Sequence, residues 1–339
     1  MHIGLAGGGN ITGTHARAAR SIPGAEITAI CGGNRQKVER LCAEHGGLPF
    51  TDYGLFLRHR PMELVVLGSP SGLHAAQGIA AAQHGLHVLT EKPIDVTTKR
   101  ADEMIAACAK AGVKLGVIFQ ERAQPDTRRL HSFLAGGGIG KPILADARVK
   151  WYRPPEYYAG SRWRGTSEFD GGGALINQAI HTVDLLLWLL GDIASVQAQA
   201  TTALHAIAAE DTLVAAFQFQ SGALGTLVAA TSVYPGYPRR IELTGAEGTV
   251  VMENDRIVRA DLRTPRADFP TSPPQDAGER ASTPAITDAS AHRAVIEDFI
   301  RAIGEGRTPL CDGGEGRRSL AVVEAMYEAA KTGRRVAVS

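Results

Sequence analysis

The sequence predicts two architectures in one chain. Residues 1–120 read as an α/β, doubly wound parallel sheet, and residues 121–339 as an α+β domain with a large, mostly antiparallel open sheet. Three observations predict this. Short apolar runs alternate with helical patterns through the first third, the rhythm of strands joined by crossover helices. A run of glycines follows the first of those strands directly. Beyond Gly191, β-like runs follow one another with no helical pattern between most of them, which calls for antiparallel pairing.

Composition suits that division. The chain has 339 residues, enough for two cores, with 44% apolar and 21% charged residues. A net charge of +1 argues against a nucleic-acid or membrane surface built on bulk charge. The four cysteines are scattered and form no Cys-x-x-Cys pair, which suits reduced thiols in the cytosol. No basic segment followed by an apolar one precedes the first strand, so no secretory leader is expected. The longest fully apolar run, Leu185 to Leu190, is too short for a bilayer. The expectation is a cytoplasmic protein with no metal, membrane or nucleic-acid partner.

Taken in order, His2-Ile3-Gly4-Leu5-Ala6 reads as a buried strand. Gly7-Gly8-Gly9-Asn10-Ile11 follows, then a helical pattern through His15, Ala16, Ala18 and Ala19. Strand, glycine turn, helix is the context of a dinucleotide-binding turn. Glycines let the backbone approach a pyrophosphate, and the helix N-terminus adds unpaired N–H groups and partial positive charge. Gly7 and Gly9 fit Gly-x-Gly-x-x-Gly, while Thr12 holds the third position and Gly13 comes one late. The second strand, Glu26 to Cys31, should end near an acid that takes the ribose of NAD. It runs instead into Gly32-Gly33-Asn34-Arg35-Gln36-Lys37. Without a carboxylate to repel a 2′-phosphate, and with Arg35 or Lys37 to pair with one, NADP is favoured over NAD.

Leu64 to Gly68 is the next strand, ending in Ser69-Pro70-Ser71-Gly72 with His74 in the following helix. His87 to Thr90 is another, followed by Glu91-Lys92-Pro93. A helix through Met104 and Cys108 leads to the strand Lys114 to Phe119. Gly7, Ser69, Lys92 and Gln120 then all fall at carboxyl ends of strands, where such sheets bind ligands.

In the second part, a helix through Arg128, Leu130 and Phe133 precedes the strand Ile143 to Val149. The stretch Trp151 to Tyr158, with Trp163 and Arg164 beyond it, reads as an ordered loop. Its aromatic rings beside arginines suit a neutral or weakly charged sugar. Gly171-Gly172-Gly173 opens an apolar helix that Gly191 ends. Asn177 and His181, four apart, lie one turn from each other on one face. Such a pair is either a satisfied core histidine or a functional group. The strand candidates are 196–200, 213–219, 223–229, 240–244 and 248–252, with a hairpin turn at Gln220-Ser221-Gly222. Thr264 to Ser290 reads as a long exposed loop, Val295 to Ile303 as an amphipathic helix stopped at Gly304, and Leu320 to Tyr327 as a last helix near the domain junction.

These residues resemble the glucose–fructose oxidoreductase / inositol dehydrogenase / rhizopine-catabolism (Gfo/Idh/MocA) family over nearly the whole chain. The resemblance rests on Gly7-x-Gly9-Asn10-Ile11, Ser69-Pro70…His74, Glu91-Lys92-Pro93, Gln120-x-Arg122, Trp163-Arg164, Gly171-Gly172-Gly173…His181-x-x-Asp184, and Tyr327 with Thr332-Gly333. It implies a Rossmann-type first domain that binds NADP or NAD through Gly7, Gly9, Asn10, Ile11, Asn34, Arg35, Ser69, Pro70, His74, Glu91, Lys92, Gln120, Trp163 and Arg164. The catalytic lysine falls on Lys92 and the catalytic histidine on His181. Asn177 stands where many members carry aspartate, so the proton acceptor is tuned differently here.

The implied activity is hydride transfer from a CH–OH group of a sugar, polyol or sugar derivative. His181 takes the hydroxyl proton, Lys92 stabilises the oxygen, and Asn177 orients ring or substrate. Two alternatives stand beside it: glycoside cleavage through transient oxidation by tightly bound NAD, and a ligand-sensing regulator on the same scaffold. The resemblance also implies a homodimer or homotetramer formed through the C-terminal sheet.

Overall fold

A computed structural model describes residues 1–160, 163–166, 168–266, 269, 271 and 288–339. The chain divides into two units, Met1–Gln120 with Ile286–Arg317, and Glu121–Ala285 with Arg318–Ser339.

The first unit is built on six parallel strands: β1 (His2–Ala6), β2 (Glu26–Cys31), β3 (Leu48–Phe50), β4 (Leu64–Leu67), β5 (His87–Glu91) and β6 (Leu115–Ile118). Their order is β3-β2-β1-β4-β5-β6, so the winding reverses between β1 and β4. A crevice opens beyond the carboxyl ends at such a reversal. Between the strands run α1 (Asn10–Arg20), α2 (Arg35–His45), α3 (Tyr53–Arg58), α4 (His74–Gln83) and α5 (Thr98–Ala111). Leu64, Val65, Val66 and Leu67 are all buried. An unbroken apolar run of this kind marks a strand covered on both faces.

The boundary differs from the expected continuous second domain over residues 121–339. The helix Ser290–Glu305 packs in the first unit, where its Phe299 ring closes over Gly116 of β6: a Cβ on Gly116 would fall 2.7 Å from that ring. Val117 donates to the Cys311 carbonyl at 3.0 Å, tying the following segment to the same strand. An amphipathic pattern states that a helix packs, not on which sheet. The helix stops at Gly306, φ +69°, two residues past the expected glycine, because Gly306 takes the left-handed cap.

The second unit holds α6 (Pro125–Ala135), β7 (Pro142–Lys150), α7 (Glu156–Ala159) and α8 (Ile180–Leu190). The strands β8 (Ile193–Thr201), β9 (Thr212–Phe219), β10 (Leu224–Ala230), β11 (Arg240–Gly245), β12 (Gly248–Glu253), β13 (Arg256–Leu262) and β14 (Val336–Ala337) follow. The sheet order is β13-β12-β11-β7-β10-β9-β8-β14, antiparallel throughout except for the parallel pair β7–β10. The hairpin at Gln220–Gly222 forms as expected, with Phe219 donating to Ala223 at 2.9 Å and Gly222 at φ +89°.

Alternation sets the two faces of this sheet. Ala145, Ala147 and Val149 of β7, Leu213, Ala215 and Phe217 of β9, and Leu227 and Ala229 of β10 are buried on one of them. Leu144, Val214 and Leu224 stand exposed on the other. The expected loop from Thr264 to Ser290 falls largely outside the described residues. None of the four cysteines is in a disulfide, and no helix among the described residues is long and apolar enough to cross a membrane.

Candidate active site

In the first unit the glycine turn is shaped by contact. Gly7 has φ +133°, and a Cβ there would lie 2.5 Å from the Gly68 carbonyl oxygen. Only glycine fits. Gly9, the N-cap of α1, has no protein atom within 4 Å of where a Cβ would stand, and Gly9 and Asn10 are exposed. The first turn of α1 carries no acid, so its amides present partial positive charge outward. Thr12 Oγ1 is buried with no partner among the described residues, as is Gln120 Oε1 at the end of β6. A glycine-only turn, an open helix N-terminus and two unsatisfied buried oxygens fit a dinucleotide.

Other expected contacts find internal uses. Asn34 caps α2, accepting from the Lys37 amide at 3.0 Å. Arg35 is 78% exposed and pairs with Glu39 at 2.8 Å on its own helix. Ser69 donates to Gln77 at 2.5 Å, with Pro70 beside it half-buried.

His74 and Glu91, both expected at the dinucleotide, have partners within the first unit. Buried His74 holds Nδ1 2.8 Å from the Pro93 carbonyl and Nε2 3.0 Å from the Ser69 carbonyl. The ring thus lies between the end of β4 and the end of β5, and in its neutral form its single N–H donates to one of these two carbonyls. Burial lowers its pKa, and the two carbonyls only partly offset that. Glu91 is also buried, 2.9 Å from His15 Nε2 and 3.7 Å from His292 Nε2. Burial opposes its ionisation. The hydrogen bond from His15 and the charges of His15, His292 and Lys92 outweigh burial and hold the carboxyl down at about 2. These three ligand atoms lie within 4.8 Å of one another, a spacing metals use, but a carboxylate between two imidazoles also balances itself. Glu91 Oε2 accepts from the Lys92 amide at 3.1 Å, which fixes the backbone of half-buried Lys92.

In the second unit two expected motifs meet. Glu121 and Arg122 follow each other in a tight 3₁₀ turn, and His181 and Asp184 lie three apart on α8. Arg122 donates to Asp184 through Nε at 2.8 Å and a terminal nitrogen at 2.7 Å, and Ser319 adds a 3.0 Å hydrogen bond. Beside this fork, Glu121 Oε2 stands 2.6 Å from His181 Nδ1. Glu121 Oε1 lies 3.6 Å from Arg239, which pairs on its other side with Asp255. All six of these charged or ionisable groups are buried.

The helix holding His181 departs from the expected regular form. Ala174–Ala179 make one π-helical turn before α8. This wider turn removes the simple one-turn stacking of Asn177 on His181. Asn177 instead donates to Asp170 at 2.5 Å and accepts from Gln178 at 3.0 Å. Asp170 is buried and also accepts from the Gly165 amide at 2.8 Å. A carboxylate is therefore present beside Asn177. Trp163 and Arg164 join Tyr157: the Arg164 guanidinium lies 4.1 Å over the Tyr157 ring and 5.5 Å from Trp163. Arg153 approaches the same tyrosine at 5.7 Å.

Sequence reasoning missed Glu121, Asp170, Glu210 and Arg239. Glu121 occupies the variable position of Gln120-x-Arg122, where no signal marks it. Glu210 explains the glycines. Its carboxylate accepts from Gly173 at 3.0 Å and Leu175 at 2.8 Å, and Tyr327 donates to it at 3.0 Å. A Cβ on Gly173 would fall 1.7 Å from the Glu210 carbonyl oxygen, and one on Gly172 2.2 Å from the Tyr327 hydroxyl. The carboxylate caps the helix N-terminus from 35 residues away, and burial raises its pKa against those hydrogen bonds.

Comparison with known proteins agrees with this fold. Residues 1–119 match the family described as "Oxidoreductase family, NAD-binding Rossmann fold", and residues 127–251 match the "GFO/IDH/MocA C-terminal domain". The WlbA dehydrogenase of Bordetella pertussis, solved with NADH and UDP-GlcNAcA, is similar at a TM-score of 0.90 and 33% identity. The match covers 99% of this chain and 97% of that one. D-apiose dehydrogenase of Paraburkholderia graminis is 27% identical over 98% of this chain and 88% of its own length. Myo-inositol 2-dehydrogenase of Thermotoga maritima is 25% identical over 94% of this chain and 93% of its own.

Proposed function

The chain belongs to the Gfo/Idh/MocA oxidoreductase family, and from that premise we propose how this member works and on what. It is a nicotinamide-dependent dehydrogenase of the sugar and polyol type. The Gly7–Ile11 turn, Ser69, Pro70 and Gln120 would hold the dinucleotide, which when bound would supply the hydride acceptor. His181 takes the substrate's hydroxyl proton. Lys92 donates to the reacting oxygen and stabilises its developing charge. Asn177, held by Asp170, orients the substrate rather than exchanging a proton.

The observation that carries this reading is the setting of His181. With Nδ1 turned to a carboxylate at 2.6 Å, Nε2 faces the other way as the proton acceptor. Two oxygen or nitrogen lone pairs at that distance would repel, so the proton belongs on the Nδ1 side.

We read the substrate as an acidic sugar derivative, a revision of the neutral or weakly charged sugar expected above. Arg153 and Arg164 converge on Tyr157, and Tyr157 meets Gln178, the neighbour of Asn177, at 3.2 Å. Two guanidinium groups on one ring suit a carboxylate or phosphate as well as a sugar face. The relative at 33% identity was solved with a sugar of that kind. The missing acid after β2 leads us to propose NADP over NAD. The exposed side chains Leu144, Val214 and Leu224 on one sheet face are the proposed self-association surface, and a cytoplasmic location is proposed from four scattered cysteines that form no disulfide.

The test is a panel with the pure protein: UDP-linked uronic acids, free uronic acids and neutral polyols, each with NAD and with NADP. Turnover with an acidic sugar derivative supports the reading. Turnover confined to neutral polyols removes the acidic-substrate part.

A further inference from the structure

We propose that Glu121 is a positioning residue for catalysis, acting through His181 as the buried carboxylate of a histidine–carboxylate dyad. The inference rests on the reading of His181 as the proton acceptor.

The geometry is local to the second unit. Glu121 turns one oxygen to His181 Nδ1 at 2.6 Å and the other to Arg239 at 3.6 Å. Both acid and ring are buried, at 4% and 7% exposure, so their interaction is poorly screened. The charges facing the pair come from four segments. Arg122 and Asp184 form their own bidentate fork, which is neutral as a unit. Arg239, just before β11, and Asp255, in the β12–β13 turn, form the second partnership. Glu121, Arg239 and Asp255 together carry two negative charges and one positive. The cluster is therefore balanced when the His181 ring holds protons on both nitrogens.

That balance matches the chemical need. During oxidation one proton leaves the substrate hydroxyl and arrives on His181 Nε2, while Nδ1 keeps its own. A bound oxidised nicotinamide would take the hydride from the carbon that bears that hydroxyl, leaving a carbonyl. The imidazolium so formed lies against the Glu121 carboxylate, which stabilises it without moving. Arg239 holds Glu121 from behind, and Asp255 holds Arg239. An ordinary structural ion pair would need neither a fixed ring tautomer nor this unbalanced charge.

Two readouts on the full chain test the proposal. The first needs no substrate: histidine ¹⁵N–¹H spectra of the labelled protein, with the His181 signal identified by its loss in His181→Ala. In wild type the ring is protonated at Nδ1. In Glu121→Gln its titration midpoint moves to lower pH, and Glu121→Asp restores part of that movement. The second is turnover with the best substrate of the panel. Glu121→Gln lowers kcat by at least about tenfold and shifts the pH profile, with dinucleotide affinity unchanged. If the Gln variant does not fold, Glu121→Asp alone carries the test with a smaller shift of the same sign. An unchanged His181 titration and unchanged kcat in the folded variants overturn the proposal. Wild-type turnover in His181→Ala would instead overturn the assignment of His181 itself.

Discussion

Two buried histidine–glutamate pairs, one in each unit, use the same chemistry in opposite senses. In the first unit Glu91 is the hub. His15 and His292 converge on it, and its second oxygen holds the Lys92 backbone. In the second unit the histidine is the group being held: Glu121 stands 2.6 Å from one nitrogen of His181, and Arg239 steadies the carboxylate. His15 is wholly buried, whereas His181 keeps 7% of its surface exposed. The difference teaches that a buried pair is not a site in itself. A histidine sealed inside can only support its neighbours; one with an edge left open can exchange a proton.

The contrast predicts that loss of a reacting group, Lys92 or His181, costs turnover, whereas loss of a sealed ion-pair partner, Arg122 or Glu91, costs stability. Lys92→Met, the group that Glu91 positions, should lower kcat by about a thousandfold or more while dinucleotide binding persists, as measured by fluorescence titration. Retained turnover would remove Lys92 from the chemistry.

Arg122→Met comes next. It leaves Asp184 buried and unpaired beside His181, and should cost about 3–5 kcal/mol in chemical denaturation. A loss below 1 kcal/mol would show that the fork is not needed to hold α8.

Glu91→Gln should cost less and carry a pH signature. The folded carboxyl sits at about 2, below its ordinary 4.5. Its ionised form therefore stabilises the fold fully above the ordinary value, and that contribution is lost as pH falls through the folded one. The stability gap between wild type and Glu91→Gln should narrow between about pH 4.5 and pH 2 in acid denaturation. A gap that widens on acidification would reverse the assigned direction.

The smallest effect concerns the cofactor. Arg35→Glu puts a carboxylate where NAD-binding sheets carry one and should move the NADP-to-NAD affinity ratio towards NAD by about tenfold. An unchanged ratio would separate residue 35 from the 2′-phosphate.

Much of this was legible before any coordinates. The alternation of β1 to β6 with helices, the glycine turn and the ordered motifs stand in the sequence because they depend on neighbours within a few residues. What failed to show depends on residues far apart. Gln120-x-Arg122 and His181-x-x-Asp184 are each visible, but their union spans about sixty residues and passes through Glu121, a position with no motif. The triple glycine reads as a turn, while its cause is the close approach of Glu210 and Tyr327. The π turn at Ala174–Ala179 carries no mark in an apolar run. Short strands such as β3 and β14 borrow their pairing from the sheet and have too little pattern of their own.

The central claim is that His181 is the proton acceptor of a nicotinamide-dependent sugar dehydrogenase. Single-turnover absorbance at 340 nm, comparing wild type with His181→Ala at saturating dinucleotide and the best panel substrate, tests it most directly. The account predicts that the variant binds the dinucleotide as wild type does and forms reduced cofactor at least about a thousandfold more slowly. Reduction at the wild-type rate would contradict it.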